Sequence, residues 1–304
     1  MNPSSIRPGR LEDLPELRRL HSSTLRCYYY DDLGDEEEPE LLEGVNAVLV
    51  DQKTKRPKGF VTFTGVQRSA ALPESAPTRI SLRAAAISSA GSAARLQFRA
   101  LFESVRQQLS PQPQGYLFCA LTDQGWLRAS LQESGFELCD AVRLFERKSR
   151  AVEHVTQPAT LRPALPSDLP QLAKVDAAAF EPLWHLGVTE LQKLHRACRF
   201  EVAELAQEIV GYAVLRLDSD GSPQGFGSAQ VVRLAVDPRA QGRGIGRQLL
   251  VACLCYAHQL KTGRVFLNTQ ESNTLSQNLY ASLQFQKRGR PVPVFVKMVT
   301  QCSV

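Results

Sequence analysis

The sequence predicts an α/β chain built as two tandem copies of one fold, each about 150 residues long. Three observations carry this. Ser5 to Leu17 returns as Thr160 to Leu172, with Arg7/Arg162, Pro8/Pro163, Asp13/Asp168, Leu14/Leu169, Pro15/Pro170 and Leu17/Leu172 coinciding at an offset of 155. Short apolar runs alternate with helical stripes in both copies. Val231 to Leu250 then reads as strand, glycine loop and helix in succession. A period this long means repeated domains, since solenoid repeats are about 20–50 residues.

Composition sets the bounds. The 304 residues are 43% hydrophobic and 22% charged, ordinary globular material with room for two cores. Met1 to Leu14 has no apolar run, so no signal peptide is expected, and no 18-residue apolar span predicts a membrane crossing. Seven scattered cysteines suggest reduced thiols and a cytoplasmic protein; Cys253 and Cys255, two apart on a predicted helix, suit neither a disulfide nor a metal site. Residues 1–150 carry 20 Lys/Arg against 19 Asp/Glu, and residues 151–304 carry 16 against 12. That excess suits a polyanionic small ligand on the second copy and is too weak and unclustered for nucleic acid.

Each copy opens with a short strand that turns into an amphipathic helix, with Asp13 or Asp168 as N-cap or first-turn acid and a tolerated early proline. In the first copy, Tyr28 to Tyr30 and the acidic run Asp35 to Glu40 follow; such a run is read as a solvated loop or, more sharply, an amine-attracting rim. Val45 to Val50 and Gly59 to Thr64 are predicted strands joined by a Lys/Pro turn, and Arg79 to Ile87 is a third. Phe98, Leu101, Phe102, Val105 and Leu109 stripe a helix. Tyr116 to Leu121 predicts a strand, Trp126 to Ser134 a helix stopped by Gly135-Phe136, and Ala141 to Glu146 a last strand.

Periodicity lapses between Ser149 and Pro158, which sets the expected domains at 1–150 and 151–304. The second copy predicts a strand at Leu161, a helix from Leu169 to Phe180, a turn carrying Trp184 and His185, and a helix over Thr189 to Cys198. Strands Phe200 to Leu205 and Ile209 to Leu217 follow, and a loop from Asp218 to Gly227 leads to Val231 to Val236, which Asp237-Pro238 closes. Gly242, Gly244 and Gly246 alternate before a helix that begins near Arg247. Bare backbone N–H groups at a helix start, flanked by Arg243 and Arg247, form an anion cradle. The spacing is neither the dinucleotide fingerprint nor the P-loop, which ends in Gly-Lys-Ser/Thr.

A strand from Val265 to Thr269 leads to Asn273, Ser276, Tyr280, Leu283, Gln284 and Phe285. Here the chain resembles the GCN5-related N-acetyltransferases (GNAT). Gln241-Gly242-Arg243-Gly244-Ile245-Gly246 matches that family's coenzyme A pyrophosphate motif. Asn273, Tyr280 and Phe285 match its later Asn…Tyr…Gly-Phe segment, with Gln284 in place of the glycine. The resemblance implies a mixed α+β sheet in each of two GNAT-like domains and acetyl-CoA as acyl donor. It also implies that the main chain of Leu234, Ala235 and Val236 pairs with the pantetheine arm.

Acetyl transfer needs coenzyme grip, a polarised carbonyl, a neutral amine and a proton for the leaving thiolate. Residues 241–247 supply the grip. Tyr280, a phenol with pKa near 10, is the candidate general acid. Asn273 either positions the coenzyme or caps the helix that carries Tyr280. The base stays open between Glu271, directly or through water, a water chain alone, and His185, which with Trp184 otherwise lines the acceptor pocket. In the first copy, Ala90, Ser92 and Ala94 oppose the three glycines and Leu131 stands for Tyr280. That copy reads as degenerate.

The sequence thus predicts an N-acetyltransferase acting on a small-molecule primary amine by direct attack in a ternary complex, with no metal, no nucleic acid and no membrane partner. Alternatives are a protein N-terminal or lysine acetyltransferase, and a non-catalytic acyl-CoA-binding or interaction module. A monomer whose halves imitate a dimer is expected.

Overall fold

Both copies of the repeat close their first turn with the same ion pair. In the computed structural model, which describes residues 4–30, 41–66, 68–152, 156–219 and 226–300, Arg7 donates to both Asp13 oxygens at 2.7 and 2.8 Å. Arg162 does the same to Asp168 at 2.7 and 3.2 Å. Each aspartate also accepts the backbone N–H three residues back, from Arg10 at 2.8 Å and Leu165 at 2.7 Å. Each aspartate occupies the N-cap position of the helix that follows without capping it through its side chain; of the two expected roles it fills that of first-turn acid, in the short 3-10 turns Leu11–Asp13 and Pro166–Asp168, where it locks the turn. The guanidinium holds both carboxyls below their usual range.

Residues 4–152 form β1 (Ser4–Arg7), α1 (Leu14–Ser23), β2 (Cys27–Tyr29), β3 (Val45–Asp51), β4 (Pro57–Phe63), β5 (Thr78–Ile87), α2 (Gly91–Gln107), β6 (Tyr116–Leu121), α3 (Gly125–Glu133) and β7 (Glu137–Lys148). The rest forms β8 (Thr160–Pro163), α4 (Leu169–Ala179), α5 (Val188–Ala197), β9 (Arg199–Leu205), β10 (Glu208–Ser219), β11 (Phe226–Val236), α6 (Ile245–Gln259), β12 (Arg264–Gln270), α7 (Thr274–Ser282) and β13 (Gln286–Val299). The strand β2 and the long β13 have no counterpart in the sequence reading. The acidic run Asp35 to Glu40 lies outside the described residues.

Two compact units result, and they do not divide the chain at 150/151. One holds residues 1–68, 74–140 and 292–304; the other holds 69–73 and 141–291. Each unit borrows a strand from the other end of the chain. In the first, Val294–Val299 of β13 pairs antiparallel with β6. In the second, Val142–Lys148 of β7 pairs antiparallel with β12. A strand needs a partner for its backbone groups, and the partner each sheet finds is distant in sequence.

The sheet of the first unit runs β1-β3-β4-β5-β6-β13, and that of the second runs β8-β9-β10-β11-β12-β7. Within each sheet one pair is parallel, β5 with β6 and β11 with β12, and the remaining pairs are antiparallel. These are mixed α/β sheets. In the first unit, α2 and α3 pack on one face through Phe98, Phe102 and Leu131, while Leu17 of α1 packs with Val48 and Phe60 on the other. In the second, α6 covers one face through Leu249, Leu250 and Leu254, against Ala213, Leu215 and Val231. The opposite face carries α4, where Tyr212 meets Asp176.

Candidate active site

The parallel pair β11–β12 holds from Ser228↔Arg264 to Val231↔Leu267 and then stops. β11 continues to Val236 and β12 to Gln270 without pairing with each other. A bulge at Val232, skipped between Leu215↔Val231 and Val214↔Arg233, sharpens the departure. Past it, Leu234, Ala235 and Val236 pair with β10 along one edge and leave the other edge unladdered. The main chain of Leu234 to Val236 therefore has one edge without a strand partner, at the opening where β11 and β12 separate.

The glycine loop sits at the mouth of that opening. Asp237 accepts the N–H of Arg239 at 2.9 Å and its guanidinium at 2.7 Å, forming a short 3-10 turn over Pro238–Ala240. Gly242 and Gly244 adopt φ of +76° and +85°, the left-handed region that favours glycine. Gly246 has no such requirement; a Cβ there would make ordinary contact with Val236 and Leu279. Gly244 is the residue before α6, and Gln248 donates to its carbonyl at 3.0 Å. Among the described residues, the backbone N–H groups from Gly242 to Arg247 donate to no protein acceptor. Six consecutive free donors, at a helix start with its positive dipole end, make an anion cradle. Arg243 is exposed beside it, and Arg247 donates to Ser282 on α7 at 2.8 Å. The side chain of Gln241 is committed elsewhere, donating to the Val236 carbonyl at 3.0 Å and so tying the loop to the strand end.

Tyr280 lies on α7, buried at 6% exposure against Phe145 and Phe285. Burial raises its pKa, while the Ser276 hydroxyl and the Arg233 charge pull the other way. The carboxamide of Asn273 caps α7 by accepting from the Ser276 N–H at 3.0 Å. Gln284 takes the left-handed position after that helix, at φ +64°, and Phe285 N–H returns to the Tyr280 carbonyl at 3.0 Å. Gly135 at φ +79° and Phe136 make the same closure on α3. Glu271 does not stand free: its carboxylate accepts from Arg143 at 2.5 Å, and Arg143 also donates to the Gly289 carbonyl.

Trp184 and His185 belong to a buried network that sequence reasoning missed. Asp176 on α4, fully buried, accepts from Arg233 at 2.7 and 2.6 Å, from the Tyr212 hydroxyl at 2.5 Å and from the Leu186 N–H at 2.7 Å. His185 Nδ1 lies 3.2 Å from the same carboxylate, and the Trp184 carbonyl accepts from Arg233 at 2.7 Å. The Arg233 guanidinium also stacks 3.6 Å over the Phe180 ring. Burial alone would raise the Asp176 pKa; Arg233 and His185 overcome it and hold the carboxyl below its usual range. The signal was present: an arginine inside the apolar strand Val231 to Val236 requires a buried acid facing it, and Asp176 stands in the apolar stripe of α4.

The equivalent place in the first unit is closed. The parallel pair β5–β6 also ends early, at Ser81↔Cys119. There, however, β2 pairs with the vacated edge of β5 through Tyr29↔Ala84, Tyr28↔Ala85 and Cys27↔Ala86, and the Tyr28 hydroxyl donates to the Leu121 carbonyl at 2.9 Å. The connection from strand to helix is also shorter, residues 88–90 against 237–244. The cradle is thus lost by deletion of loop and by an inserted strand, more than by the Cβ atoms of Ala90, Ser92 and Ala94. Leu131, in place of Tyr280, is fully buried in the core.

Among the described residues, no group of three His, Cys, Asp or Glu side chains is placed to hold a metal, and no helix is long and apolar enough to cross a membrane.

Residues 169–285 match the Acetyltransferase (GNAT) family. A mycothiol acetyltransferase from Acidothermus cellulolyticus is 31% identical over 152 residues, covering 44% of this chain and 45% of that protein. The N-alpha-acetyltransferase RimI from Mycobacterium tuberculosis is 29% identical over 136 residues, covering 44% of this chain and 82% of that protein. A solved tandem GNAT protein from the clavulanic acid biosynthesis pathway aligns over 99% of this chain and 100% of its own, with a TM-score of 0.59 at 13% identity, a likeness of fold. The chain spans less than half the length of the mycothiol acetyltransferase it matches. The segment that matches the acetyltransferase (GNAT) family, residues 169–285, carries the glycine loop, the strand opening and Tyr280, within a chain that has the two-domain GNAT fold.

Proposed function

We propose that the second unit transfers the acetyl group of acetyl-CoA to the primary amine of a small molecule by direct attack in a ternary complex. The observation that carries this is the row of free N–H groups from Gly242 to Arg247 at the mouth of the β11–β12 opening. Those donors, with Arg243 and Arg247, would hold the pyrophosphate. The free edge at Leu234 to Val236 would pair with the pantetheine arm, and an N–H there would face the developing oxyanion. The amine nitrogen attacks the thioester carbon, the C–S bond breaks, and Tyr280, kept protonated by burial, supplies the proton to the sulfur. The Glu271 carboxylate is engaged by Arg143 and so is not free to take the amine proton directly. The amine proton then leaves through water. Trp184 and His185, fixed by the Asp176–Arg233 network, wall the acceptor side. No cysteine on the described strands of this opening is placed as an acyl carrier.

The relative named mycothiol acetyltransferase supports a small-molecule acceptor. The RimI relative, matched over 82% of its length, favours a protein N-terminus as the second reading. Titration of the full chain with acetyl-CoA should give one site per chain. A panel of small amines and N-terminal peptides, followed by thiol release, should identify the acceptor. Tight acetyl-CoA binding with no amine accelerating thiol release would instead indicate a non-catalytic acyl-CoA-binding module.

A further inference from the structure

The connection from β4 to β5 does not stay with its own sheet. In the second copy the matching hairpin, β10 with β11, keeps its pairing out to Ser219↔Phe226. In the first copy the pairing ends at Phe63↔Leu82, and residues 64–77 lie outside any strand. A strandless connection longer than about 12 residues is uncommon in a compact domain and usually has a task. Its middle, Ser69–Pro73, belongs to the second unit. There it closes on itself: the Ala71 N–H donates to the Ser69 hydroxyl at 3.3 Å, and the Leu72 N–H donates to the Ser69 carbonyl at 3.3 Å. Ser69, Ala71 and Leu72 are half-buried.

Ser69 packs on Gly187, the residue before α5. Gly187 is buried, at φ −80° and ψ 177°, extended backbone that any residue adopts. What the position lacks is room. A Cβ there would lie 3.2 Å from the Ser69 Cβ and 3.3 Å from its Oγ. Contacts that short force a neighbour to move. The turn that Gly187 ends is pinned from its other side. The Trp184 carbonyl accepts from Arg233 at 2.7 Å, the Leu186 N–H donates to Asp176 at 2.7 Å, and the Gly187 N–H donates to Glu190 at 3.0 Å. Residues 184–187 are thus held between the Asp176–Arg233 network and Ser69.

We propose that Ser69–Pro73 is a positioning element for the acceptor amine, lent by the first copy to the second unit. The inference rests on the reading of Trp184 and His185 as the acceptor wall. Ser69 acts through Gly187: it fixes the outer end of the turn and so sets where Trp184 and His185 stand. The first copy, whose own strand opening is filled by β2, thereby serves the reaction of the second unit. Acceptor affinity depends on this contact. Acetyl-CoA affinity does not, because its grip comes from the glycine loop and the β11 edge.

Trp126 and Trp184 are the only tryptophans, so in a Trp126→Phe background Trp184 fluorescence reports on the turn. In that full-length chain, Gly187→Ala should raise the KM of the amine identified by the panel roughly 2- to 30-fold, the range for a shift passed through neighbouring residues. The kcat and the acetyl-CoA affinity should stay near the parent values, and acrylamide should quench Trp184 more readily. Adding Ser69→Gly removes the atoms that the new Cβ meets and should restore both KM and quenching. The Glu190 carboxylate, 2.9 Å from the same Cβ, ends a flexible side chain and is displaced alike in both variants, so it cancels from the comparison. Ser69→Val crowds the contact from the other side; it should reproduce the Gly187→Ala effect and serves if that variant misfolds. A KM rise that Ser69→Gly leaves intact, or an equal loss of acetyl-CoA affinity, would overturn the proposal. If the parent chain acetylates no amine, the acetyl-transfer reading falls by itself. Quenching that follows the Ser69 side chain would then still support Ser69 as the residue that sets Trp184, and equal quenching in all variants would overturn it.

Discussion

Asp176 and Arg233 illustrate how much one pair of side chains can decide. Removing one partner of a buried ion pair leaves the other charge unpaired, so Asp176→Asn should destabilise the protein by about 3–5 kcal/mol. The double change Asp176→Leu with Arg233→Met should lose much less, as a chemical-denaturation cycle would show. The pH dependence has a definite sign. The folded pKa of Asp176 lies below its unfolded value, so its stabilisation is complete above the unfolded value near 3.8 and disappears as pH falls toward about 2. The stability gap between wild type and Asp176→Asn should narrow over that interval. Tyr280 is a different kind of residue. If it protonates the thiolate, Tyr280→Phe should lower kcat and kcat/KM together by roughly 10²–10⁴-fold, with acetyl-CoA affinity nearly unchanged. A wild-type rate with chemistry limiting would remove it as the acid. Gln284 holds a left-handed backbone that a glycine adopts without strain, so Gln284→Gly should stabilise by about 0.5–1 kcal/mol, read from the denaturant midpoint. The residue before Phe285 was legible in the sequence as a departure from the family pattern. The structure adds that the backbone kept the glycine conformation anyway.

Among elements, the glycine loop was readable because its signal is local: a strand, closed by Asp237-Pro238, then glycines, then a 3.6-residue stripe. Its function depends on backbone angles that side chains penalise. Gly244→Ala meets open space, with Thr156 and Pro158 no nearer than 3.9 Å, so the penalty is the φ of +85° and not a clash. That variant should fold, melt slightly lower and bind acetyl-CoA at least 10-fold more weakly by calorimetry, because the free N–H groups lose their common aim. Gly246→Ala, without a positive φ, should be milder; equal losses at both positions would show that bulk and not backbone angle matters. The strand β2 was not readable in the same way. Cys27–Tyr29 is three residues long, below the length at which period-two alternation can be recognised, and what makes it a strand is the free edge of β5, a tertiary fact. The Asp176–Arg233 network lies between these two cases. Each residue looks anomalous alone, and only packing of α4 on β11 explains both.

For the whole molecule, the repeat at offset 155 foretold two copies of one fold but not how the chain is shared between them. A cut at 150/151 follows the sequence repeat and severs both units. Residues 151–304 alone lack Val142–Lys148, which leaves the β12 edge from Arg264 to Gln270 without its antiparallel partner. They also carry Val294–Val299 with no β6 to receive it. The complementary piece, residues 1–150, has the converse defects. Unpaired, largely apolar edges are templates for association, so each fragment expressed alone should aggregate or show much reduced strand content by circular dichroism. Co-expressed, the two should recover a soluble complex with one acetyl-CoA site, because every strand again has its partner. The loss cannot be assigned to a missing active-site residue, since the loop, Tyr280 and the Asp176 network all lie within 151–304. A soluble, monomeric and fully active 151–304 fragment would show that the second unit does not need β7. Failure of the co-expressed pair, with the intact chain active, would show that the covalent link through residues 149–158 guides the exchange of strands as well as joining the copies.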